Sequence, residues 1–487
     1  MTTVKEALLP KTELGNDPSD NRQNKNYLDQ IQVLDSRLSP GILTDVEQVL
    51  LQNPSEDKVA VMFAERHEGN LIYSHQHASW FIWDSTHWRK DETLLAQEYV
   101  RQLARKLNTR GLQSLGRSSF ARGVESLAKA DRKLAVHGKE LDQNHYLLNT
   151  PAGTLNLKDE LPSLREHNPA DLITKATAVG PAEEGGVVFR KFLDEVTLQD
   201  GELQKFLRRA LGSMLSGACE EHWIMFWIGE GRNGKNTLGD VVQHILGGYA
   251  KTVPSSTLLS RKSDSHPTEL ANLQGCRLAV SSEIPEGSFL NEARVKELTG
   301  DARISARYMR QNFFEFDRTH KHLVYGNSKP QLRAVDSAMR ARLKIVPFKA
   351  SFAGREDPDL PLKLLDEAGY ILNWLIRGHQ KWLEAGKKVG SCRAVDESTE
   401  DYFASQSTPD MWLDECCRVL PDEGEGGRYW DKSSDLYKSY KGWKLDRGES
   451  PISQTRWAEF MATRFERRKV DGYRYVGVKL VKEQSTW

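Results

Sequence analysis

Trp223 to Leu246 reads WIMFWIGEGRNGKNTLGDVVQHIL. It opens with an uninterrupted apolar run, Trp223 to Ile228, breaks into a glycine-rich loop that carries Lys235, and resumes with a helical pattern. The apolar run is too short for a membrane span and suits a strand covered on both faces. Gly229, Gly231 and Gly234 free the backbone to turn so that several N–H groups converge on one concavity. The helix that follows presents its positive dipole end and unpaired N–H groups to the same place.

The spacing Gly229-x-x-x-x-Gly234-Lys235 is that of a P-loop, in which the lysine reaches the β- and γ-phosphates of a nucleotide. Gly229, Gly231, Asn233, Gly234, Lys235, Asn236 and Thr237 are the expected nucleotide-binding residues. The hydroxyl residue that normally follows the lysine and binds Mg²⁺ is Asn236 here, with Thr237 next. An amide oxygen is a hard, neutral ligand, and Thr237 lies about 100° further round the helix. Asn236 is the preferred Mg²⁺ contact and Thr237 the alternative. The competing reading is a strand-turn-helix without a ligand.

Downstream, RLAVSS (Arg277 to Ser282) is an apolar strand ending in Glu283, where a carboxylate orients the attacking water or helps hold Mg²⁺. A third strand, Leu323 to Gly326, ends in Asn327, whose amide suits the γ-phosphate or the water. Asp336-Ser-Ala-Met-Arg340-Ala-Arg342 precedes the apolar LKIVPF. An arginine there is placed where it could reach a neighbouring subunit's nucleotide and stabilise transition-state charge, an effect worth about 10³ to 10⁵ in rate.

Taken one at a time, each of these residues has a dull explanation in a turn or on a solvated face. Their order after a P-loop is what carries the signal.

The segments GEGRNGKNTL, RLAVSSE, LNEARVKELTGDARISAR, HLVYGNSKP and DSAMRARLKIVPF resemble the successive motifs of superfamily 3 helicases, in the branch of phage, plasmid and poxvirus primase-helicases. WFIWDSTHWRKDE, YLLNTPAGTLNLK and NPADLITK resemble the domain that precedes the helicase in that branch. The resemblance covers 45–348 and, more loosely, the basic C-terminal module. It implies an AAA+ core, a hexameric ring moving 3′ to 5′ on single-stranded DNA, ATP and Mg²⁺ as cofactors, and the roles Lys235 on phosphate, Glu283 on water, Asn327 as sensor and Arg342 as arginine finger. The chain departs from the family pattern at Asn236, at Arg340-Ala341-Arg342 in place of aromatic-Arg-Arg, and at the single glycine of Gly300-Asp301.

Asn291 to Arg310 gathers Arg294, Lys296, Arg303, Arg307 and Arg310 around Thr299-Gly300-Asp301. The family places its DNA-binding hairpin here, so Lys296, Arg307 and Arg310 are candidates for a phosphate backbone in the ring channel. For Lys296 or Arg307 the alternative is the intersubunit nucleotide site.

Lys plus Arg equals Asp plus Glu, 68 each, so overall charge announces no nucleic-acid partner. Local charge does: Pro451 to Lys482 holds eight Lys or Arg against three Asp or Glu. Trp457, Phe460, Met461 and Phe465 recur there at helical spacing after Ser453, and Arg464, Arg467, Arg468 and Lys469 crowd the helix end. A turn at Asp471-Gly472 and two β-rich stretches, Tyr473 to Val476 and Val478 to Val481, complete a helix-plus-hairpin order that suits a DNA-binding winged-helix module. The bland counterpart is a small α+β appendage with solvated basic residues.

The 487 residues, 38% hydrophobic and 28% charged, describe a soluble globular chain with no membrane-length apolar run and no signal-peptide pattern, so a cytoplasmic location is expected. Five cysteines without a CxxC pair argue against a zinc ribbon. His75, His77 and His87 lack a fourth ligand at credible spacing and read as surface residues. Trp80, Trp83 and Trp88 suggest an aromatic hairpin. No strand-borne acidic pair for polymerising nucleotides is recognisable, so no primase site is expected.

The expected architecture is α/β: an AAA+ P-loop ATPase core, an α+β N-terminal domain and a C-terminal winged-helix-like module. Its domains are a mobile arm (1–44), the helicase-associated domain (45–180), a helical collar (181–220), the core (221–350), a helical lid and linker (351–395, with 390–399 as the linker) and the basic module (396–487). The expected activity is an ATP-dependent DNA helicase of a mobile element's replication, with a homo-hexamer, single-stranded DNA, origin duplex and a separate primase as partners and no membrane. The alternatives are an origin-binding initiator whose ATPase drives assembly, and a P-loop small-molecule kinase.

Overall fold

A computed structural model describes residues 54–260, 267–309, 312–332, 336–406, 409–419, 430–447 and 451–481. The expected arm, 1–44, and the candidate Arg310 lie outside the described residues. The chain divides into two compact units, at Leu141 and Asp142.

The first unit runs α1 (Glu56–His67), β1 (Leu71–Ser74), β2 (Ser79–Trp83), β3 (Trp88–Lys90), α2 (Leu95–Leu107), α3 (Ser118–Ala128) and β4 (Ala135–Val136), with strand order β3-β2-β1-β4. Ser55 caps α1 by accepting from the Lys58 N–H at 3.3 Å. Asp84 Oδ1 accepts from the N–H groups of Thr86 and His87 and so closes the β2–β3 turn. That turn brings Trp83 opposite Trp88, with ring centroids 5.5 Å apart. His75 and His77 bond the Lys129 carbonyl and the Ser74 hydroxyl respectively, and His87 bonds Thr86.

The second unit opens with the hairpin β5 (Leu147–Thr150) and β6 (Gly153–Asn156), then α4 (Val187–Val196) and α5 (Gly201–Ser213). Next come β7 (Ile224–Ile228), α6 (Lys235–Leu246), β8 (Ala250–Thr252), α7 (Pro267–Ala271), β9 (Leu278–Ser282), α8 (Glu292–Gly300), β10 (Arg303–Ala306), β11 (Phe314–Asp317) and β12 (Lys321–Gly326). They are followed by α9 (Ser337–Arg342), β13 (Leu343–Pro347), α10 (Leu360–Asp366), α11 (Ala368–Glu384) and α12 (Arg393–Gln406).

Strands β13-β7-β12-β9-β8 form one sheet in which every pairing is parallel. The strand period of two divides β7 between its faces. Trp223, Met225 and Trp227 enter one core with α4, α5, α6 and α11. Ile224, Phe226 and Ile228 enter the other with Val295 and Leu298 of α8, Met339 of α9 and Tyr402 and Phe403 of α12. Burial on both faces explains why the run is apolar without alternation. Each large side chain buried this way contributes about 1.5–3 kcal/mol. The observed architecture is mixed α/β with a central parallel sheet.

Two expectations need correction. The stretch 390–399, read as a linker, leads into α12, whose Thr399 hydroxyl accepts from the Ile345 N–H of β13 at 3.0 Å. Its polarity misled because few of its residues, among them Val395, Tyr402 and Phe403, supply the apolar contacts to the cores. The C-terminal pairing also differs. After α13 (Pro409–Cys416) come β14 (Cys417–Val419), β15 (Trp430–Lys432), α14 (Ser433–Asp446), α15 (Gln454–Ala462), β16 (Arg467–Lys469), β17 (Tyr473–Val476) and β18 (Val478–Leu480). The sheet order is β14-β18-β15-β17-β16, so β15 separates the two stretches expected to pair. Asp471-Gly472 instead joins β16 to β17, and Arg467 to Lys469 leave the helix for the edge strand.

Among the described residues, no helix is long and apolar enough to cross a membrane.

Candidate functional site

Parallel α/β sheets place ligands beyond the carboxyl ends of their strands. Here the ends of three adjacent strands, β7, β12 and β9, release the glycine loop, Asn327 and Glu283 side by side. They surround a cavity of about 660 Å³ lined by 231–237, 283–285 and 325–328.

Lys235 opens α6 and is only 4% exposed. Its Nζ donates to the Gly229 carbonyl at 3.1 Å and to Asn327 Oδ1 at 2.7 Å, tying the loop to β12. Burial lowers the Lys235 pKa, and Glu283 opposes that shift. Both hydrogen-bond acceptors are neutral, so the ammonium is held but not ion-paired by them.

The loop is set by close packing. Gly234 has φ +80°, and a β-carbon there would lie 2.5 Å from Val196 Cγ1 of α4. Buried Asn233 donates from Nδ2 to the Phe348 carbonyl at 3.1 Å, and the Phe352 N–H donates to the Arg232 carbonyl at 2.8 Å. Arg232 also pairs with Glu356 at 3.0 Å. The chain after β13 therefore straps the loop from outside.

Glu283 adopts φ +52°, a left-handed conformation that costs an ordinary residue about 1–2 kcal/mol. Its N–H donates to the Tyr325 carbonyl at 3.0 Å, and its carbonyl accepts from Ser255 Oγ at 3.2 Å. These bonds hold the bend that turns the chain out of β9.

Tyr325 also lines the cavity and went unremarked in the sequence. Its hydroxyl donates to Asp240 at 2.6 Å, joining β12 to α6, and burial raises its pKa, with Asp240 acting in the same direction. A β-carbon on Gly239 would come within 2.7 Å of the Tyr325 ring, which is the local reason for a glycine inside α6. The signal available was position: Tyr325 lies two residues before Asn327.

The structure thus brings Asn233, Gly234, Lys235, Asn236, Thr237, Glu283 and Asn327 around one cavity. Asn236, Thr237 and Glu283 offer an amide, a hydroxyl and a carboxylate, hard oxygens that fit Mg²⁺ shared with phosphates. Among the described residues, no group of three or more His, Cys, Asp or Glu is arranged for a metal.

Arg342 does not line this cavity. Its Nε donates to Thr299 Oγ1 at 3.1 Å and its Nη1 to the Ala338 carbonyl at 2.9 Å. Arg340 pairs with Glu400 at 2.9 Å and covers the Phe403 ring. Lys296 lies on α8, pairing with Asp336 at 2.5 Å, whereas Arg307 follows β10 of an antiparallel β10–β11 hairpin. The expected single cationic hairpin is therefore a helix followed by a hairpin. Near its tip the Arg307 guanidinium lies 4.9 Å from the Phe313 ring centre, and Met309 and Phe313 are 71% and 60% exposed.

In the C-terminal module, Arg464 follows α15 and lies over the Phe460 ring at 4.2 Å. Arg467, Arg468 and Lys469 are exposed on β16.

A parallel α/β sheet with a lysine-bearing glycine loop, a strand-end glutamate and a strand-end asparagine defines a class of candidate nucleotide-binding proteins. Comparison with known proteins is more specific. Residues 60–198 match the family described as D5 N terminal like, and 227–342 match the Family of unknown function (DUF5906). The chain is 26% identical over 232 residues to the "Putative helicase L207/L206" of Acanthamoeba polyphaga mimivirus, covering 46% of this chain and 24% of that protein. It is 30% identical over 167 residues to the "Putative helicase 022R" of Frog virus 3, covering 33% and 17%. With the "Putative primase C962R" of African swine fever virus it shares 22% identity over 376 residues, covering 72% and 38%. The matched region therefore spans well under half the length of each of these relatives. Among solved structures, the apo C-terminal region of NrS-1 aligns with a TM-score of 0.45 at 12% identity, covering 88% of this chain and 100% of that one.

The chain carries a D5 N-terminal-like domain followed by a DUF5906 domain and is homologous to viral proteins named as putative helicases and primases, consistent with the superfamily 3 primase-helicases.

Proposed function

We propose that this chain is an ATP-dependent DNA helicase of a mobile element's replication machinery, working as a homo-hexameric ring that moves 3′ to 5′ on single-stranded DNA. The observation that carries the reading is the seat of Lys235, a buried ammonium held by Gly229 and Asn327 at the end of a glycine loop. A triphosphate is the ligand chemistry that such a cation, flanked by loop N–H groups and a helix N-terminus, favours.

On this reading Lys235 binds the β- and γ-phosphates, and the loop N–H groups of 231–237 orient them. Mg²⁺, when bound, neutralises phosphate charge. Asn236, with Thr237 as the alternative, and Glu283 are the residues that would hold it. Glu283 orients the attacking water and accepts its proton, while Asn327 passes from the Lys235 ammonium to the γ-phosphate or the water. Arg342 serves the neighbouring subunit's nucleotide, as befits a residue outside its own cavity.

Arg307 offers the channel a cation on a hairpin, with Arg310 as a further candidate. Lys296, ion-paired on a helix, suits either the channel or the subunit interface. The order α13, β14, β15, α14, α15, β16, β17 supports a winged-helix-like module, with Arg464, Arg467, Arg468 and Lys469 as its nucleic-acid contacts. The domain boundaries given above, a separate primase and a cytoplasmic location belong to the same proposal.

The test is ATP hydrolysis by size-fractionated protein with and without single-stranded DNA across a salt series. We expect stimulation in a ring-sized species, fading with salt, and turnover abolished by Lys235→Ala. Turnover that survives Lys235→Ala removes the nucleotide assignment. Hydrolysis indifferent to DNA removes the motor and favours an initiator or kinase.

A further inference from the structure

The basic C-terminal segment splits by strand parity. Across β16, β17 and β15 the residues Arg468, Arg474 and Lys432 stand in register on one face. Like charges placed opposite one another destabilise a sheet, and here carboxylates intervene. Glu466 accepts two bonds from Arg468, at 2.8 Å each, and Asp471 lies 3.1 Å from Lys432 and 3.9 Å from Arg474.

The other face is different. Arg467 pairs with Tyr475 and Lys469 with Tyr473, so these four share a side. Tyr475 is buried and donates to the Ala458 carbonyl of α15, which places this side toward that helix. Tyr473 is 49% exposed. The Arg467 guanidinium carbon lies 3.6 Å from the Tyr473 ring centre, and the Lys469 ammonium lies 6.0 Å from it. Among the described residues no carboxylate pairs with Arg467 or Lys469. This side therefore presents the Tyr473 ring of β17, one face of it covered by the Arg467 guanidinium, beside two cations on β16, the edge strand of the sheet among the described residues.

We propose that Tyr473, Arg467 and Lys469 form a stacking platform for single-stranded nucleic acid: a base lies on the face of the Tyr473 ring that the Arg467 guanidinium leaves open, while the N–H edge of Arg467 and the Lys469 ammonium hold the flanking phosphates. The proposal rests on the reading of the chain as a nucleic-acid motor and narrows it to the substrate form that the module around Tyr473 takes. A single strand fits better than a duplex because an exposed ring face needs an unstacked base, whereas phosphate contacts alone would not require an aromatic residue. The helix α15 supplies the contrast, since Trp457 and Met461 are turned into the core.

The experiment uses the full chain without nucleotide and an oligothymidylate carrying 5-iodouracil, irradiated and mapped by peptide mass spectrometry. We expect an adduct on Tyr473. In an Arg307→Ala background, which weakens the hairpin's contribution, Tyr473→Ala should weaken binding of the same oligonucleotide by about five- to a hundredfold, the range for losing one stacked base. Tyr473→Phe should restore most of it, which a merely electrostatic surface would not predict. Arg467→Ala and Lys469→Ala should each reduce the salt slope by about one. Absence of the Tyr473 adduct, unchanged affinity in Tyr473→Ala, or equal competition by a duplex of the same length overturns the platform. DNA-stimulated hydrolysis without the adduct keeps the motor and removes the platform. The adduct without DNA-stimulated hydrolysis keeps the platform and removes the motor.

Discussion

Helices α5 and α11 meet at two glycines, and this contact makes a demanding test of the packing. A β-carbon built on Gly378 would collide with the Arg208 carbonyl oxygen and lie 3.0 Å from both Arg208 C and Cγ. On Gly212 it would collide with the backbone of Gly378 and His379 and lie 2.7 Å from the Leu375 carbonyl oxygen. The obstacles are mainly backbone on both sides, so relief requires the helices to separate. An alanine in a helix interior would ordinarily stabilise by about 0.8–1.0 kcal/mol relative to glycine. Overpacking of this kind costs about 1–3 kcal/mol, at the upper end when neither neighbour can rotate away. For Gly378→Ala the net expectation is destabilisation of about 2 kcal/mol. Gly442→Ala on α14, where a β-carbon meets nothing within 4 Å, keeps only the propensity gain and should stabilise by about 0.8–1.0 kcal/mol. Urea denaturation with fluorescence detection reads both variants. A Gly378→Ala protein as stable as the parent, or signs that do not oppose, would refute the reasoning.

Two further outcomes follow from charged groups. If Arg342 acts on the next subunit, mixing Arg342→Ala with Glu283→Gln protein should restore part of the hydrolysis that each has lost. No rescue with intact assembly counts against that role. Burial lowers the His322 pKa to about 4 and the His379 pKa to about 3, while an unfolded histidine stays near 6.5. The unfolded chain therefore binds more protons below pH 6.5, and each histidine removes up to about 1.4 kcal/mol of stability per pH unit on the way down to its folded value. The urea midpoint should fall between pH 6.5 and 4 and fall less steeply in His322→Phe. An identical pH slope in that variant would show that His322 is not the group responsible.

How much could be read beforehand differs by element. Trp223 to Leu246 was legible because a doubly buried strand, a glycine turn and an amphipathic helix each leave a local mark, and β7 and α6 fall where those marks lie. Glu283 and Asn327 were legible as strand ends. The sheet order was not, since the parallel pairings connect residues far apart in sequence. Nor was the location of Lys296. The cations from Asn291 onward read as one cluster, but Asn291 accepts from the Arg294 N–H and starts a helix there, separating Lys296 from the hairpin. Lys321 shows the same limit: its ammonium is buried and donates to the carbonyls of Ser213, Ser216 and Ala218, and burial lowers its pKa to about 8. Nothing near Lys321 in sequence announces three acceptors about a hundred residues upstream.

The proposed site gathers two features that the sheet itself does not require. Lys321 is held by three carbonyls and Arg277 by two within the fold, whereas Lys235, with two neutral partners, borders an open cavity. Glu283 adds a left-handed backbone residue to the lining of the same cavity. Neither feature is needed to build the sheet, since β7, β9 and β12 pair without it and both cores close behind them. An ammonium in such a seat gains most from an anion that also reaches the loop N–H groups, and Glu283 lines the same cavity. A cation, loop N–H groups and a carboxylate thus share one cavity, and the seat of Lys235 within it is what most supports the nucleotide reading.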